Sequence, residues 1–91
     1  MIKSFRHKGL GELFAVGKSA KVGQGLQARA LRRLDALQAA ACLEDLDLPG
    51  FDFHPLKGKP QRYSIHINGP WCITFEWQDE SAARVDLEQY H

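Results

Sequence analysis

The feature that most constrains this fold is a period-two alternation of apolar and polar residues between positions 63 and 88. Successive side chains of a β-strand point to opposite faces, so this alternation predicts strands with one buried face. The apolar positions of the three runs are Tyr63, Ile65 and Ile67, then Trp71, Ile73, Phe75 and Trp77, then Ala83, Val85 and Leu87. Turns are predicted at 68–70 and near 79–80. The pattern indicates an antiparallel meander whose apolar face needs a covering layer.

The covering layer is predicted in the first half of the chain, where apolar residues recur every three or four positions. Residues 24–41 form the strongest helix candidate, with a stripe at Leu26, Ala30, Leu34, Leu37 and Ala41. Residues 8–17 allow a shorter helix, residues 2–5 a first strand, and the proline-rich residues 54–60 an ordered loop. We expect one α+β domain over residues 1–91. Its N-terminal strand and two helices would pack on one face of a small, mainly antiparallel sheet.

Charge is strongly segregated along the chain although the net charge is only +1. Residues 1–34 carry eight basic residues and one acid, and residues 35–56 carry five acids and no Lys or Arg. Residues 76–91 carry five acids against one arginine. A basic block on one face would attract a polyanion within about a Debye length, whereas a solvated helix face explains the same charges without a partner. Both interpretations stand on charge alone.

Cysteine usage and hydropathy favour a cytoplasmic protein. Met1 leads at once into charged residues, without the apolar region of a signal peptide, and no run approaches the roughly 18 apolar residues of a membrane span. Cys42 and Cys72 are too few for a disulfide framework and do not form a Cys-x-x-Cys pair. We therefore expect a reducing compartment and no membrane partner.

Four short motifs carry a family resemblance across essentially the whole chain. They are Ile2-Lys3-Ser4-Phe5-Arg6-His7-Lys8-Gly9-Leu10 with Leu13-Phe14, His54-Pro55-Leu56-Lys57-Gly58, the hairpin from Ser64-Ile65 through Trp71 to Ile73-Thr74-Phe75, and the terminal Tyr90-His91. In this order and spacing they resemble HigB-type plasmid-maintenance killer proteins of the RelE-like toxin superfamily. The ordered set is much more specific than any one motif.

The resemblance implies a RelE-like fold and the toxin of a toxin–antitoxin pair. Toxins of this kind enter the ribosomal A site and cleave the messenger RNA under translation, which arrests growth. The implied partners are the ribosome, mRNA and a HigA-type antitoxin with a helix-turn-helix domain. Operator DNA would be contacted only through the antitoxin, and no cofactor is implied.

Side-chain chemistry and the resemblance together select His54, Lys57, Tyr90 and His91 as candidate catalytic residues. Metal-free RNA cleavage needs a base for the 2′-hydroxyl, donors for charge on the phosphorane and an acid for the leaving 5′-oxygen. Histidine titrates near neutral pH, lysine carries positive charge, and tyrosine donates a hydrogen bond or stacks on a base. Turn capping by His54, solubility for Lys57 and strand-end packing by Tyr90 are the plain alternatives. Which histidine acts as base stays open.

Four further residues, Lys59, Arg62, His66 and Cys72, are predicted to contact RNA or its phosphates. His66 and Cys72 fall on the polar face of the predicted strands, which would form the floor of an RNA groove. A solvated strand residue is an equally good interpretation of His66. A metal site built from His54, His66 and His91 has no supporting ligand spacing, and we expect none.

Three positions depart from the family pattern. Cys72 stands where an arginine usually follows the hairpin aromatic, His66 and Asn68 stand near a second usual arginine, and Gln89 replaces an aspartate. Cysteine lacks the rigid donor fork of arginine, and losing one transition-state donor costs roughly 10²–10³ in rate. Arg62 is a candidate for part of the missing charge. One hypothesis is a ribosome-dependent endoribonuclease, attenuated at Cys72; the other is an inactive homologue that binds its antitoxin and co-represses their operon.

Overall fold

The computed structural model describes residues 1–90, which form a helical layer on a single β-sheet. The helices are α1 (Lys8–Val16) and α2 (Gln24–Ala39), and a 3-10 turn (Leu43–Leu46) leads toward the sheet. The strands are β1 (His54–Leu56), β2 (Arg62–Asn68), β3 (Trp71–Gln78) and β4 (Ser81–Gln89). They lie in the order β1-β2-β3-β4 with every neighbour antiparallel. The predicted meander, both helices and the α+β class are confirmed.

Local sequence signals set the limits of α1. The His7 side chain caps its start by accepting a hydrogen bond from the Leu10 amide at 3.1 Å. Gly17 ends the helix at a left-handed φ of 85°, which glycine adopts without steric cost. Within residues 1–90, no helix has the length and apolar character needed to cross a membrane.

Helix α2 buries most of its predicted stripe. Its buried residues are Leu26, Ala30, Leu34 and Leu37. The assignment of Ala41 to the stripe was wrong, because the helix ends at Ala39 and the chain continues extended. Ala40 is buried instead, and Ala41 is exposed.

The N-terminal segment extends the sheet beyond β4. Ile2 and Phe5 form isolated parallel bridges with Ala82 and Val85, so the predicted first strand exists only as two bridges. The helices pack against one face of the sheet and cover the core from that side. Large side chains that are fully buried between the layers are Leu10, Leu13, Leu34, Leu37, Leu46, Ile65, Ile67, Ile73, Phe75 and Val85.

The segment 54–60 is partly a strand, which corrects the expectation of a loop throughout. His54–Leu56 pairs with β2, and Pro55 lies opposite Tyr63. A proline fits here because β1 is the edge of the sheet, where no further strand needs its missing amide hydrogen. Residues 57–61 remain irregular.

The alternation predicted for β4 is interrupted by a bulge at Arg84. Its φ is 50°, and the pairing shifts between Thr74 opposite Asp86 and Glu76 opposite Ala83. The extra residue places Ala82 in the apolar core cluster, whereas Ala83 is buried opposite Glu76 on the other face of the sheet. A bulge inserts one extra residue into a strand, so the residues before and after it no longer alternate between the two faces in a single period-two pattern.

Candidate active site

One face of the sheet, here called the open face, lies opposite the helices and carries several of the predicted site residues. Paired residues on antiparallel strands share a face, so one row across the four strands holds His54, Ser64, Thr74 and Asp86. The next row holds His66, Cys72 and Glu88. Three strand spacings, on the order of 14 Å, separate β1 from β4. The structure thus brings His54, His66 and Cys72 to one surface.

His54 lies exposed on the edge strand with one ring nitrogen already engaged. Its Nδ1 is 2.8 Å from the main-chain carbonyl oxygen of Asp52. Because a carbonyl oxygen only accepts, this hydrogen bond places the hydrogen on Nδ1. The neutral imidazole then leaves Nε2 without a hydrogen, as a hydrogen-bond acceptor.

His66 uses its opposite ring nitrogen. Its Nε2 is 2.9 Å from the carbonyl oxygen of Gly69, in the turn between β2 and β3. Its main chain is also engaged, since the amide donates to Phe51 O at 2.6 Å and the carbonyl accepts from Arg33 Nε at 3.0 Å. His66 therefore joins the turn, the segment before β1 and helix α2.

Arg62 is held in a polar network on the open face. Its Nη1 is 3.2 Å from Glu76 Oε2, and its Nη2 donates to Thr74 Oγ1 at 3.1 Å and to the Arg84 carbonyl at 2.9 Å. The Glu76 carboxylate also lies 3.3 Å from Arg84 Nε. The Arg62 and Glu76 side chains are only 12% and 9% exposed, and a charge buried to that degree needs its partner. The Arg62 charge is therefore already paired with the Glu76 carboxylate inside the fold.

Tyr90 follows β4 and is tied to the β2–β3 turn through its amide, which donates to Pro70 O at 2.6 Å. The residue is 43% exposed. Partial burial, and then the nearby Glu88 carboxylate, raise the pKa of the phenol above its ordinary value. The phenol is therefore a hydrogen-bond donor at neutral pH.

Cys72 is buried between the second and fourth strands, with 6% of its surface exposed. It pairs across strands with His66 on one side and Glu88 on the other. Glu88 accepts a hydrogen bond from the Thr74 hydroxyl, which itself accepts one from Arg62. The position where the resemblance leads us to expect an arginine thus holds a thiol whose cross-strand partner is the Glu88 carboxylate.

Lys57 and Lys59 supply positive charge close to His54 in the chain. Both are exposed on the irregular segment after β1, and neither forms an ion pair with a carboxylate among residues 1–90. Their ammonium groups are available to a phosphate.

His91 lies outside the described residues. Across positions 1–90, no three His, Cys, Asp or Glu side chains are grouped so as to hold a metal ion.

The Asp52 carbonyl and the Glu88 carboxylate also belong to this surface, although no sequence motif marks either of them. The Asp52 carbonyl sets the His54 hydrogen bond, and a main-chain acceptor leaves no signal in residue type. Glu88 lies at a polar position of the alternation, but its neighbours Cys72 and Thr74 follow only from the strand register and the folded side chains.

Two helices packed on one four-stranded antiparallel sheet are the α+β architecture expected of the class of RelE-like toxins. The model of one family in that class, described as the RelE-like toxin of the type II toxin–antitoxin system HigB, matches residues 3–91. The chain is also 38% identical over 92 residues to the endoribonuclease HigB of Proteus vulgaris, covering 100% of both chains. The chain belongs to the HigB-like toxin family, as its motifs indicated.

Proposed function

We propose that this protein is an endoribonuclease toxin that cleaves messenger RNA in the ribosomal A site and thereby inhibits translation. Membership of the HigB-like family and the name of the Proteus vulgaris relative support this class of reaction. The observation that carries the proposal is the exposed His54. Its Nδ1 is engaged by a main-chain carbonyl, its Nε2 is left for proton transfer, and Lys57 and Lys59, which form no ion pair within residues 1–90, follow it in the chain.

In this mechanism His54 Nε2 accepts the proton of a ribose 2′-hydroxyl as that oxygen attacks the adjacent phosphorus. Lys57 and Lys59 stabilise the negative charge that develops on the non-bridging oxygens. The bond from phosphorus to the 5′-oxygen breaks, and His91 donates a proton to the leaving oxygen. Tyr90 donates a hydrogen bond to the phosphate or stacks on a base. The products are a 2′,3′-cyclic phosphate and a 5′-hydroxyl end.

We propose that this activity is weaker than that of a relative with arginine at position 72. Cys72 offers no cation, and the Arg62 guanidinium is bound to Glu76 and Thr74. Both observations also favour a second candidate function, in which the chain is an inactive homologue. It would then bind its antitoxin and co-repress their operon without cutting RNA.

The proposed partner is a HigA-type antitoxin with a helix-turn-helix domain, and operator DNA is reached only through it. The family consists of toxins from toxin–antitoxin systems, which supports an antitoxin partner. We place the reaction in the cytoplasm, because its substrate is the messenger RNA of translating ribosomes.

Induction of this chain in a bacterial host tests the two candidates. The 5′ ends of cellular mRNA are mapped with and without the neighbouring helix-turn-helix protein, and His54→Asn is the matched control. The nuclease predicts growth arrest and new 5′ ends within translated codons, both lost with the antitoxin or in the variant. The co-repressor predicts no new ends and tighter operator binding by the antitoxin when the chain is present.

A further inference from the structure

Arg33 differs from the other arginines of helix α2 because its side chain reaches the sheet. Its Nε donates to the His66 carbonyl at 3.0 Å and its Nη2 to the Gly50 carbonyl at 3.3 Å. Its guanidinium carbon lies 4.5 Å from the centroid of the Phe51 ring, a cation–π contact. Arg29 and Arg32 are exposed. Arg33 thus makes three contacts to elements that carry or precede candidate site residues.

The Gly50–His54 segment leads into β1 and has no strand or helix structure before His54. It is fixed at successive points: Gly50 by Arg33, Phe51 by the His66 amide, and Phe53 by stacking on Tyr63 with ring centroids 5.8 Å apart. Between these points lies the Asp52 carbonyl, which holds the His54 ring. Two residues of the segment, Gly50 at φ 84° and Asp52 at φ 45°, are left-handed. A segment of this kind depends on external contacts for its shape.

Burial, and then the charges of Arg32 and Arg29, lower the pKa of the Arg33 guanidinium. Placing a third positive charge here is therefore unfavourable by itself. The two carbonyl hydrogen bonds and the Phe51 ring compensate for it, because charge-assisted hydrogen bonds are about twice as strong as neutral ones. A lysine would carry the charge but not the planar pair of donors that reaches both carbonyls.

We propose that Arg33 is a positioning residue for cleavage. By clamping Gly50, Phe51 and the His66 carbonyl, it sets the Asp52 carbonyl that orients the His54 imidazole and keeps Nε2 as the proton-transfer atom. This inference rests on the proposed nuclease function. It assigns to helix α2 a direct structural link to the His54 site.

The test compares Arg33→Met with Arg32→Met, since both remove one positive charge from the same helix but only the first removes the clamp. Arg33→Lys is the conservative variant. Single-turnover cleavage on programmed ribosomes gives a rate constant and a half-saturating concentration. The His54 tautomer is measured by long-range proton–nitrogen correlation on the free, folded protein, below the unfolding temperature of each variant.

We expect Arg33→Met to lower the cleavage rate constant by about 10- to 100-fold, as a small displacement of a catalytic group does. The half-saturating concentration should change no more than in Arg32→Met, and His54 should lose its single Nδ1–H tautomer. Arg33→Lys should recover only part of the rate. Arg32→Met should keep the wild-type rate constant and tautomer.

Two results would overturn the proposal. One is a folded Arg33→Met variant with the wild-type His54 tautomer and rate constant. The other is an equal rise in half-saturating concentration for both methionine variants with no change in rate constant, which would make the effect purely electrostatic. If the wild-type chain cleaves nothing, the nuclease proposal fails, whereas the tautomer comparison still decides whether Arg33 positions His54.

Discussion

Placing an arginine at position 72 is the sharpest test of the proposal that Cys72 weakens this site. The new side chain would start on the open face between His66 and Glu88, its cross-strand partners. A single transition-state donor contributes roughly 10²–10³ in rate. Glu88 competes for the guanidinium, but an opposite-charge cross-strand pair is worth only about 0.2–1 kcal/mol, which is at most a factor of about five. Cys72→Arg should therefore raise the cleavage rate constant by at least about 20-fold.

The assay is single-turnover cleavage on programmed ribosomes at saturating protein, with thermal unfolding to confirm that the variant is folded. Cys72→Lys is the matched control, because it adds the same charge without the planar donor fork and should gain much less. Adding Glu88→Gln to Cys72→Arg should increase the rate further, by removing the competing carboxylate. A folded Cys72→Arg variant with a rate constant within about twofold of wild type would refute the reasoning that a missing donor limits this site.

Further predictions concern ion pairs of the sheet and the candidate site residues. Glu76→Gln should lower the unfolding free energy by about 2 kcal/mol, because Arg62 keeps its other hydrogen bonds but loses a buried counter-charge. Asp79→Asn, at an ion pair whose carboxylate is 89% exposed, should cost less than about 0.5 kcal/mol; equal losses in denaturant titrations would contradict the ranking. His54→Asn should lower the cleavage rate constant by about 10²–10⁴ without unfolding the chain, and an active variant would remove His54 from the mechanism. Because burial raises the Tyr90 pKa, the stability from its neutral phenol is complete below the unfolded pKa near 10 and is lost as pH rises through the folded pKa. Unfolding free energies at increasing alkaline pH should show this loss in wild type and not in Tyr90→Phe.

The sequence by itself determined the architecture, because burial periodicity is a local property. Alternation over residues 63–88 predicted β2, β3 and β4, and the leucine stripe predicted α2 to within two residues of its end. The four motifs identified the family, which the whole-chain match confirms. His54, Lys57 and Tyr90 were selected in the same way, and their catalytic roles remain predictions.

What the sequence left undetermined depends on contacts between distant parts of the chain. The bulge at Arg84, the strand at His54–Leu56 and the end of α2 each result from competition between pairing and local preference. Arg62 was expected among the phosphate ligands, yet only the register of β2 and β3 brings it to Glu76.

The hydrogen bond that places the hydrogen on His54 Nδ1 also depends on the tertiary structure. Its acceptor is a main-chain carbonyl, a group that every residue carries and that no side-chain pattern can mark. The Asp52 carbonyl lies in the Gly50–His54 segment, and Arg33 of helix α2 donates a hydrogen bond to Gly50 at the start of that segment. Residue types therefore determined which chemical groups this surface contains. The tertiary structure decided that Arg62 is paired with Glu76 and held the segment that presents the Asp52 carbonyl to His54, because both depend on contacts between parts of the chain that are distant in sequence.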